Sequence, residues 1–259
     1  MNPRAAHQRS AADCLADGLR RHGIEARRTT PESQGRGSDA VACWGWRVGQ
    51  SLKAQGVENV LVMERAYLGD RFVWTSLGWD GLNGRATFPL VDDSSRFWKH
   101  FPKLLRPWRE RADGYALLLG QVPTDAAVNE HYIGWLNRAC RALQANGYTV
   151  AFRPHPRHPQ LRCGSDRVLS VDEPLEKHLK AARLAVTFNS NSGVESVLAG
   201  VPTISVDVGS MAWDVTGHDM TEVVQPCRIQ WAERLAWKQW LPNEIEDGTA
   251  WEHVGKCLA

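Results

Sequence analysis

The chain has no run approaching the roughly 20 consecutive apolar residues that a bilayer-spanning helix needs, and no apolar segment of leader type comes after Met1-Asn2-Pro3-Arg4. The expectation is a cytoplasmic protein. Closely spaced cysteines are also missing. The six lie at positions 14, 43, 140, 163, 227 and 257, without the short spacings of a zinc site, so reduced thiols are expected. An excess of one charge is lacking too, since 31 Lys and Arg stand against 29 Asp and Glu for a formal net charge of +2. That balance neither demands nor excludes a polyanionic partner, because a basic cleft can coexist with a near-neutral whole. No short repeat or low-complexity tract argues for a solenoid.

What is present points to an ordered protein. Hydrophobic residues make up 43% and charged residues 23% of 259 positions, enough for a substantial core in one large domain or two modest halves. Twelve tryptophans run from Trp44 to Trp251. Their large apolar area suits them to the core, while any exposed ones can stack on a sugar or a base.

The apolar pattern alternates between strand and helix signals. A helix is expected over 11–22, a strand from Asp39 to Cys43 leading into Trp44-Gly45-Trp46, a helical turn over Gln50–Gln55 and a strand over Val57–Met63. Phe72 to Gly84, rich in glycine and aromatics, reads as a shaped loop. Pro89 to Trp108 reads as a connector between halves. A second series then begins: strand Tyr115–Gly120, helix Ala126–Ala145, strand Tyr148–Phe152, strand Val168–Val171 and helix Leu175–Ala182. The fold class is α/β with two Rossmann-like halves, 1–110 and 111–259, the C-terminal helices going with the second.

The most informative stretch runs from Leu184 to Val206 and reads as strand, polar turn, short helix, strand. Ser192 fits a helix start whose hydroxyl caps the Glu195 amide while the Glu195 carboxylate reaches back, a capping box that explains both residues without any ligand. Gly200 fits a left-handed stop, with Pro202 barring continuation. Asn189, Ser190, Asn191 and Ser192 offer hydrogen bonds at the helix entrance, and Gly193 would let a diphosphate approach its amides. A polar turn satisfying itself accounts equally for the asparagines. Arg153-Pro154-His155-Pro156-Arg157-His158-Pro159 comes directly after a strand, where Arg153 and His155 can present donors to phosphate oxygens. A solvated basic turn is the plain alternative. His155 and His158 lack the third and fourth ligands that zinc would need.

Ser190 to Pro202 resembles the nucleotide-sugar-binding segment in the C-terminal half of GT-B glycosyltransferases and capsule-polysaccharide transferases. There a glycine-led helix faces the diphosphate and a glutamate, here Glu195, holds the ribose. Arg153 and His155 resemble the basic residue and histidine-proline segment of capsule and teichoic-acid polymer transferases, which implies contact with the donor diphosphate. Phe188 to Trp213 is most similar to small glycosyltransferase-like proteins of tailed bacteriophages. The resemblance implies a compact GT-B-like fold, a nucleotide-sugar donor as substrate, and Mg²⁺ as an optional companion held mainly by phosphate and water. It also implies an acceptor of hydroxymethylated bases in double-stranded phage DNA, and hence a host cytoplasm.

Sugar transfer with inversion needs a general base at the acceptor hydroxyl. Glu64, Asp70 and Asp80 are the candidates, lying at polar ends and loops of the first half, with Asp80 and Glu64 ranked jointly ahead of Asp70. Ordinary ion pairs with Arg65 or Arg71 are the competing explanation. Asp207 and Asp214 flank a stretch that could close over the donor. Two other functions stay open: transfer to a surface glycan or small acceptor, and a nucleotide-sugar-binding module without catalysis.

Overall fold

The computed structural model describes residues 3–29, 38–128 and 131–258. By contacts the chain divides into two units, Met1–His100 with Glu233–Ala259, and Phe101–Ala232.

The first unit contains α1 (Pro3–Arg21), β1 (Val41–Trp44), α2 (Trp46–Ala54), β2 (Val60–Arg65), β3 (Thr75–Trp79) and α3 (Ser95–His100), and from the chain's end β9 (Gln239–Trp240), α8 (Pro242–Glu246) and α9 (Thr249–Val254). Its sheet has the order β1-β2-β3-β9. Only β1 and β2 are parallel; β3 and β9 extend the sheet antiparallel. The segment expected to be a loop over 72–84 therefore contains a strand. The glycine there serves packing, since a Cβ on Gly78 would lie 2.9 Å from both Ala86 Cβ and the Phe88 ring. The division at 110/111 placed the C-terminal helices with the second half. By contacts they cluster with the first, because β9 pairs with β3 and α8 and α9 pack on α1.

Alternation along β2 fills both faces of this sheet. Leu61 and Met63 pack with Leu15 of α1, Trp240 and Ile245, while Val60 and Val62 pack with Val41, Cys43 and Leu52 of α2. Buried Arg96 of α3 holds the C-terminal segment by donating to the Ala236 and Gln239 carbonyls at 2.9 and 2.8 Å and to both carboxylate oxygens of Glu244 at 2.7 and 2.5 Å. This fork-to-fork pairing suits a planar guanidinium.

The second unit contains β4 (Tyr115–Leu119), α4 (Tyr132–Ala145), β5 (Val150–Arg153), β6 (Arg167–Val168), α5 (Leu175–Ala181), β7 (Ala182–Thr187), α6 (Asn191–Leu198), β8 (Thr203–Ser205) and the first half of α7 (Ile229–Ala236). Helix α4 begins later than the expected Ala126, and residues 129–130 lie outside the described residues. All five strands are parallel, in the order β6-β5-β4-β7-β8. This is the doubly wound order in which the chain reverses direction across the sheet between its first and fourth strands, here β4 and β7.

Both faces are covered, as a parallel sheet requires. Ala116 and Leu118 join Leu136, Ala139 and Leu143 of α4 on one side, and Tyr115, Leu117 and Leu119 join Leu179 of α5 on the other. The tryptophans are mostly structural. Trp74, Trp79 and Trp240 are buried, Trp98 is exposed, and the remaining eight are half-buried. Several anchor the chain through the indole N–H, as Trp79 does at 2.8 Å to the Val254 carbonyl and Trp231 does at 2.8 Å to that of Met211.

Candidate functional site

In a doubly wound sheet the crevice opens outside the carboxyl ends of the strands, where the winding reverses. In the second unit that place is bounded by Gly120 and Gln121 after β4, Phe188 to Ser190 after β7, Arg153 to His155 at the end of β5, and Val206 and Asp207 after β8. The residues singled out as donor-binding thus meet at one edge of one sheet.

Their individual roles differ. Asn189 is 1% exposed and fully engaged: its Oδ1 accepts from Gln121 Nε2 at 2.6 Å, and its Nδ2 donates to the Ala127 carbonyl at 2.6 Å and Asp207 Oδ1 at 2.8 Å. Its amide donates to Gln121 Oε1 at 3.2 Å. Asn189 and Gln121 therefore lock the strand ends together, and nothing in the sequence beyond Gln121's place after a strand and a glycine signals that pairing. Asp207 belongs to the same lock and also accepts from the Gly209 amide at 2.9 Å.

Helix α6 starts two residues before the expected position. Ser190, not Ser192, is the N-cap, its Oγ accepting from the Ser192 amide at 3.2 Å. The Ser192–Glu195 capping box is therefore not formed, because Glu195 lies beyond the first turn. The shift comes from packing at Gly193, where a Cβ would lie 2.9 Å from Thr187 Cγ2 and 3.4 Å from Ser205 Oγ, so the helix start sits tightly on β7 and β8. Gly200 closes the helix in the left-handed conformation, φ +79°. Glu195 is exposed, Ser190, Asn191 and Ser192 half-buried. Ser190→Ala should cost about 1 kcal/mol of unfolding free energy, whereas Glu195→Gln should change it by less than about 0.5 kcal/mol, as for an exposed surface position; denaturant unfolding of both variants measures this.

Arg153 ends β5 half-buried. Its Nε donates to His178 Nδ1 at 3.1 Å and its Nη2 to the Glu173 carbonyl at 3.0 Å, leaving Nη1 without a hydrogen-bond partner among the described residues. Burial pulls the guanidinium below its ordinary value, and the charge of Glu195 acts in the opposite direction. Arg153 and Glu195, 42 positions apart in sequence, are thus electrostatic neighbours. His155 Nδ1 accepts from the Arg157 amide at 3.1 Å, so the neutral ring carries its proton on Nε2, a donor suited to an anion.

A separate cavity of about 410 Å³ lies by the opposite, amino ends of β4, β5 and β7, with Arg109, Arg111 and Arg183 among its lining. Its arginines are already committed. Arg109 donates to the Leu179 and Ala199 carbonyls, Arg111 to Asp113 and the Lys180 carbonyl, and Arg183 to the Ala112 carbonyl. The carboxyl-end crevice is the chemically better-equipped of the two.

In the first unit the three candidate carboxylates separate. Asp80, in the left-handed region at φ 55°, accepts from Lys53 Nζ and the Val60 amide, both at 2.9 Å. It therefore ties down the amino end of β2. Glu64 sits inside β2 near its carboxyl end, opposite Ser76 of β3, about 13 Å along the strand from Val60 at the usual rise per residue. One acceptor hydroxyl is reached from at most one of them. Glu64 lies against Gly45, the N-cap of α2, a Cβ there falling 3.6 Å from Glu64 Oε1. Burial, with the Glu64 charge second, pushes the Cys43 thiol up to about 12. Asp70 is exposed, its Oδ1 accepting from the Phe72 amide at 2.8 Å in a local turn.

Two solved structures share this architecture. The beta Kdo 2,4 transferase of Thermosulfurimonas dismutans KpsC superposes with a TM-score of 0.61 over 88% of this chain and 87% of its own, at 14% identity. The beta Kdo 2,7 transferase of the same KpsC gives 0.56 over 86% and 87%, again at 14% identity. The chain has the α/β fold of these glycosyltransferases. At that identity the likeness is one of fold. No protein-family model matches the sequence, and no curated protein does. No helix among the described residues is long and apolar enough to cross a membrane.

Proposed function

We propose that the protein is a glycosyltransferase whose second unit binds the nucleotide part of an activated sugar donor. The observation that carries this reading is the convergence, at the β4/β7 reversal, of Arg153, whose Nη1 has no hydrogen-bond partner among the described residues, with the start of α6 and the exposed residue Glu195. Arg153 and His155 Nε2 stabilise phosphate charge as the leaving group departs, helped by the partial positive charge at the α6 N-terminus. Glu195 accepts from a ribose hydroxyl. Asn189, Gly193 and Ser190 shape the crevice through the locks described above rather than by touching the donor.

Glu64 is the proposed base for the acceptor hydroxyl, supported by its place at the carboxyl end of β2 beside Gly45, whereas Asp80 braces the opposite end of that strand. Among the described residues no three His, Cys, Asp or Glu side chains are grouped to hold a metal ion. A Mg²⁺ ion would fit only as a companion of the donor phosphates, completed by water.

The fold neighbours are named as Kdo transferases, and on that likeness the proposed acceptor is a glycan hydroxyl. They lend nothing to hydroxymethylated DNA. The test is incubation of the purified chain with activated nucleotide sugars, including activated Kdo, and with glycan acceptors and hydroxymethylated DNA in parallel, with mass spectrometry as the readout. Addition of one sugar to a glycan supports the reading, and addition to DNA alone moves the acceptor to nucleic acid. Saturable nucleotide binding without transfer or donor hydrolysis would leave a binding module, and no binding across the panel would refute the donor site.

A further inference from the structure

His178 lies on α5, away from every motif that marks the donor crevice in sequence, and its side chain is 4% exposed. It stands between two charged groups. Arg153 Nε approaches Nδ1 at 3.1 Å, and Glu173 Oε2 lies 2.9 Å from Nε2. An arginine has only donors, so Nδ1 must offer a lone pair, and a carboxylate has only acceptors, so Nε2 must carry the proton. One protonation state satisfies both contacts: the neutral Nε2–H tautomer. A proton on Nδ1 would face the Arg153 N–H head on.

The same small frame fixes the guanidinium at a second point. Arg153 Nη2 donates to the Glu173 carbonyl at 3.0 Å, while the Glu173 carboxylate is braced at Oε1 by Lys177 Nζ at 2.5 Å. The backbone of His178 is held as well, its carbonyl accepting from the buried Tyr115 hydroxyl at 2.9 Å. Nε and Nη2 of the guanidinium are thereby fixed, and among the described residues the third nitrogen, Nη1, meets no acceptor. Holding a long side chain in one orientation before the ligand arrives removes an ordering cost from binding.

We propose that His178 is a positioning residue for nucleotide binding: as the neutral Nε2–H tautomer, locked by Glu173, it aims the Arg153 guanidinium so that Nη1 meets a phosphate oxygen. This rests on the donor-site reading above, and the experiment separates the two. The probes are CMP, CDP, UDP, GDP and ADP, the tightest of which is compared with its parent nucleoside by calorimetry on the full chain. His178→Leu removes the acceptor and should weaken the nucleotide about tenfold, the worth of one charge-assisted contact, while leaving nucleoside affinity within about twofold. His178→Asn places a carboxamide oxygen where Nδ1 stood and should recover most of that loss, a rescue that a merely space-filling histidine would not show. In the wild-type protein, ¹⁵N–¹H spectra of the imidazole should show a bare Nδ1 and a protonated Nε2, a readout independent of ligand and of how the variants fold.

Wild-type nucleotide affinity that depends on Arg153 but is unaltered in His178→Leu overturns the positioning role alone. A proton on Nδ1 in the spectra overturns it as well. Nucleotide affinity that is absent, or indifferent to Arg153→Ala, overturns both the donor site and this role.

Discussion

Arg153→Ala is expected to weaken nucleotide binding by about 10- to 100-fold, the range of losing one or two charge-assisted hydrogen bonds to phosphate, and to leave binding of the parent nucleoside nearly unchanged. The asymmetry comes from position. Arg153 ends an interior parallel strand at the carboxyl edge with two of its nitrogens already fixed by α5 and the residues before it, and Nη1 donates to no other group among the described residues. Removing it also leaves His178 Nδ1 without its donor, so some stability is lost too. A calorimetric titration of nucleotide and nucleoside, beside a denaturant melt, separates the two effects. Equal loss for both ligands would mean that Arg153 supports the fold and does not recognise phosphate.

Glu64→Gln is expected to lower kcat by about 10²- to 10⁴-fold, the usual contribution of a positioned general base, with donor KM changed little. Glutamine keeps the volume beside Gly45 but cannot take a proton. Asp80→Asn is the control. Because Asp80 braces Lys53 and the Val60 amide, that change should reduce stability and leave the turnover of folded enzyme largely intact. Full activity in Glu64→Gln, or a greater kcat loss in Asp80→Asn, would transfer the base role.

The second unit is the more legible part of the sequence. Its strands other than the exposed edge strand β6 are buried on both faces and so appear as short, nearly uninterrupted apolar runs, of which Tyr115–Leu119 and Ala182–Thr187 are the central pair. Their order in the sheet, which creates the crevice, is not written locally, but strict strand and helix alternation restricts it strongly. The start of α6 differs by two residues from its expected place because Ser190 and Ser192 both satisfy cap chemistry. The choice between them is made by how closely Gly193 must sit on Thr187 and Ser205.

In the first unit β3 is hidden by glycine and tryptophan, residues that serve its packing, and two-residue β9 by its dependence on a partner more than 160 positions away. The candidate site divides along the same line. Arg153 and Glu195 are legible because the first closes a strand of apolar pattern and the second lies on the short helix just after another. Gln121 and His178 are not, since the role of each is set by one distant side chain, Asn189 for the first and Arg153 for the second. Asp80 and Glu64 are inseparable in sequence because the loop reading of 72–84 hides that Asp80, like Glu64, sits near a strand end. Only the antiparallel pairing of β2 with β3 shows that these are opposite ends.

The central claim is that the carboxyl-edge crevice of Phe101–Ala232 holds the donor's nucleotide, and the most direct measurement is a crystal structure of the full chain with the tightest-binding nucleotide of the panel. The account predicts a phosphate oxygen about 2.7–3.2 Å from Arg153 Nη1, the phosphate chain at the start of α6 and a ribose hydroxyl on Glu195. A nucleotide seated in the amino-end cavity among Arg109, Arg111 and Arg183, or anywhere that leaves Arg153 and Glu195 untouched, would contradict it.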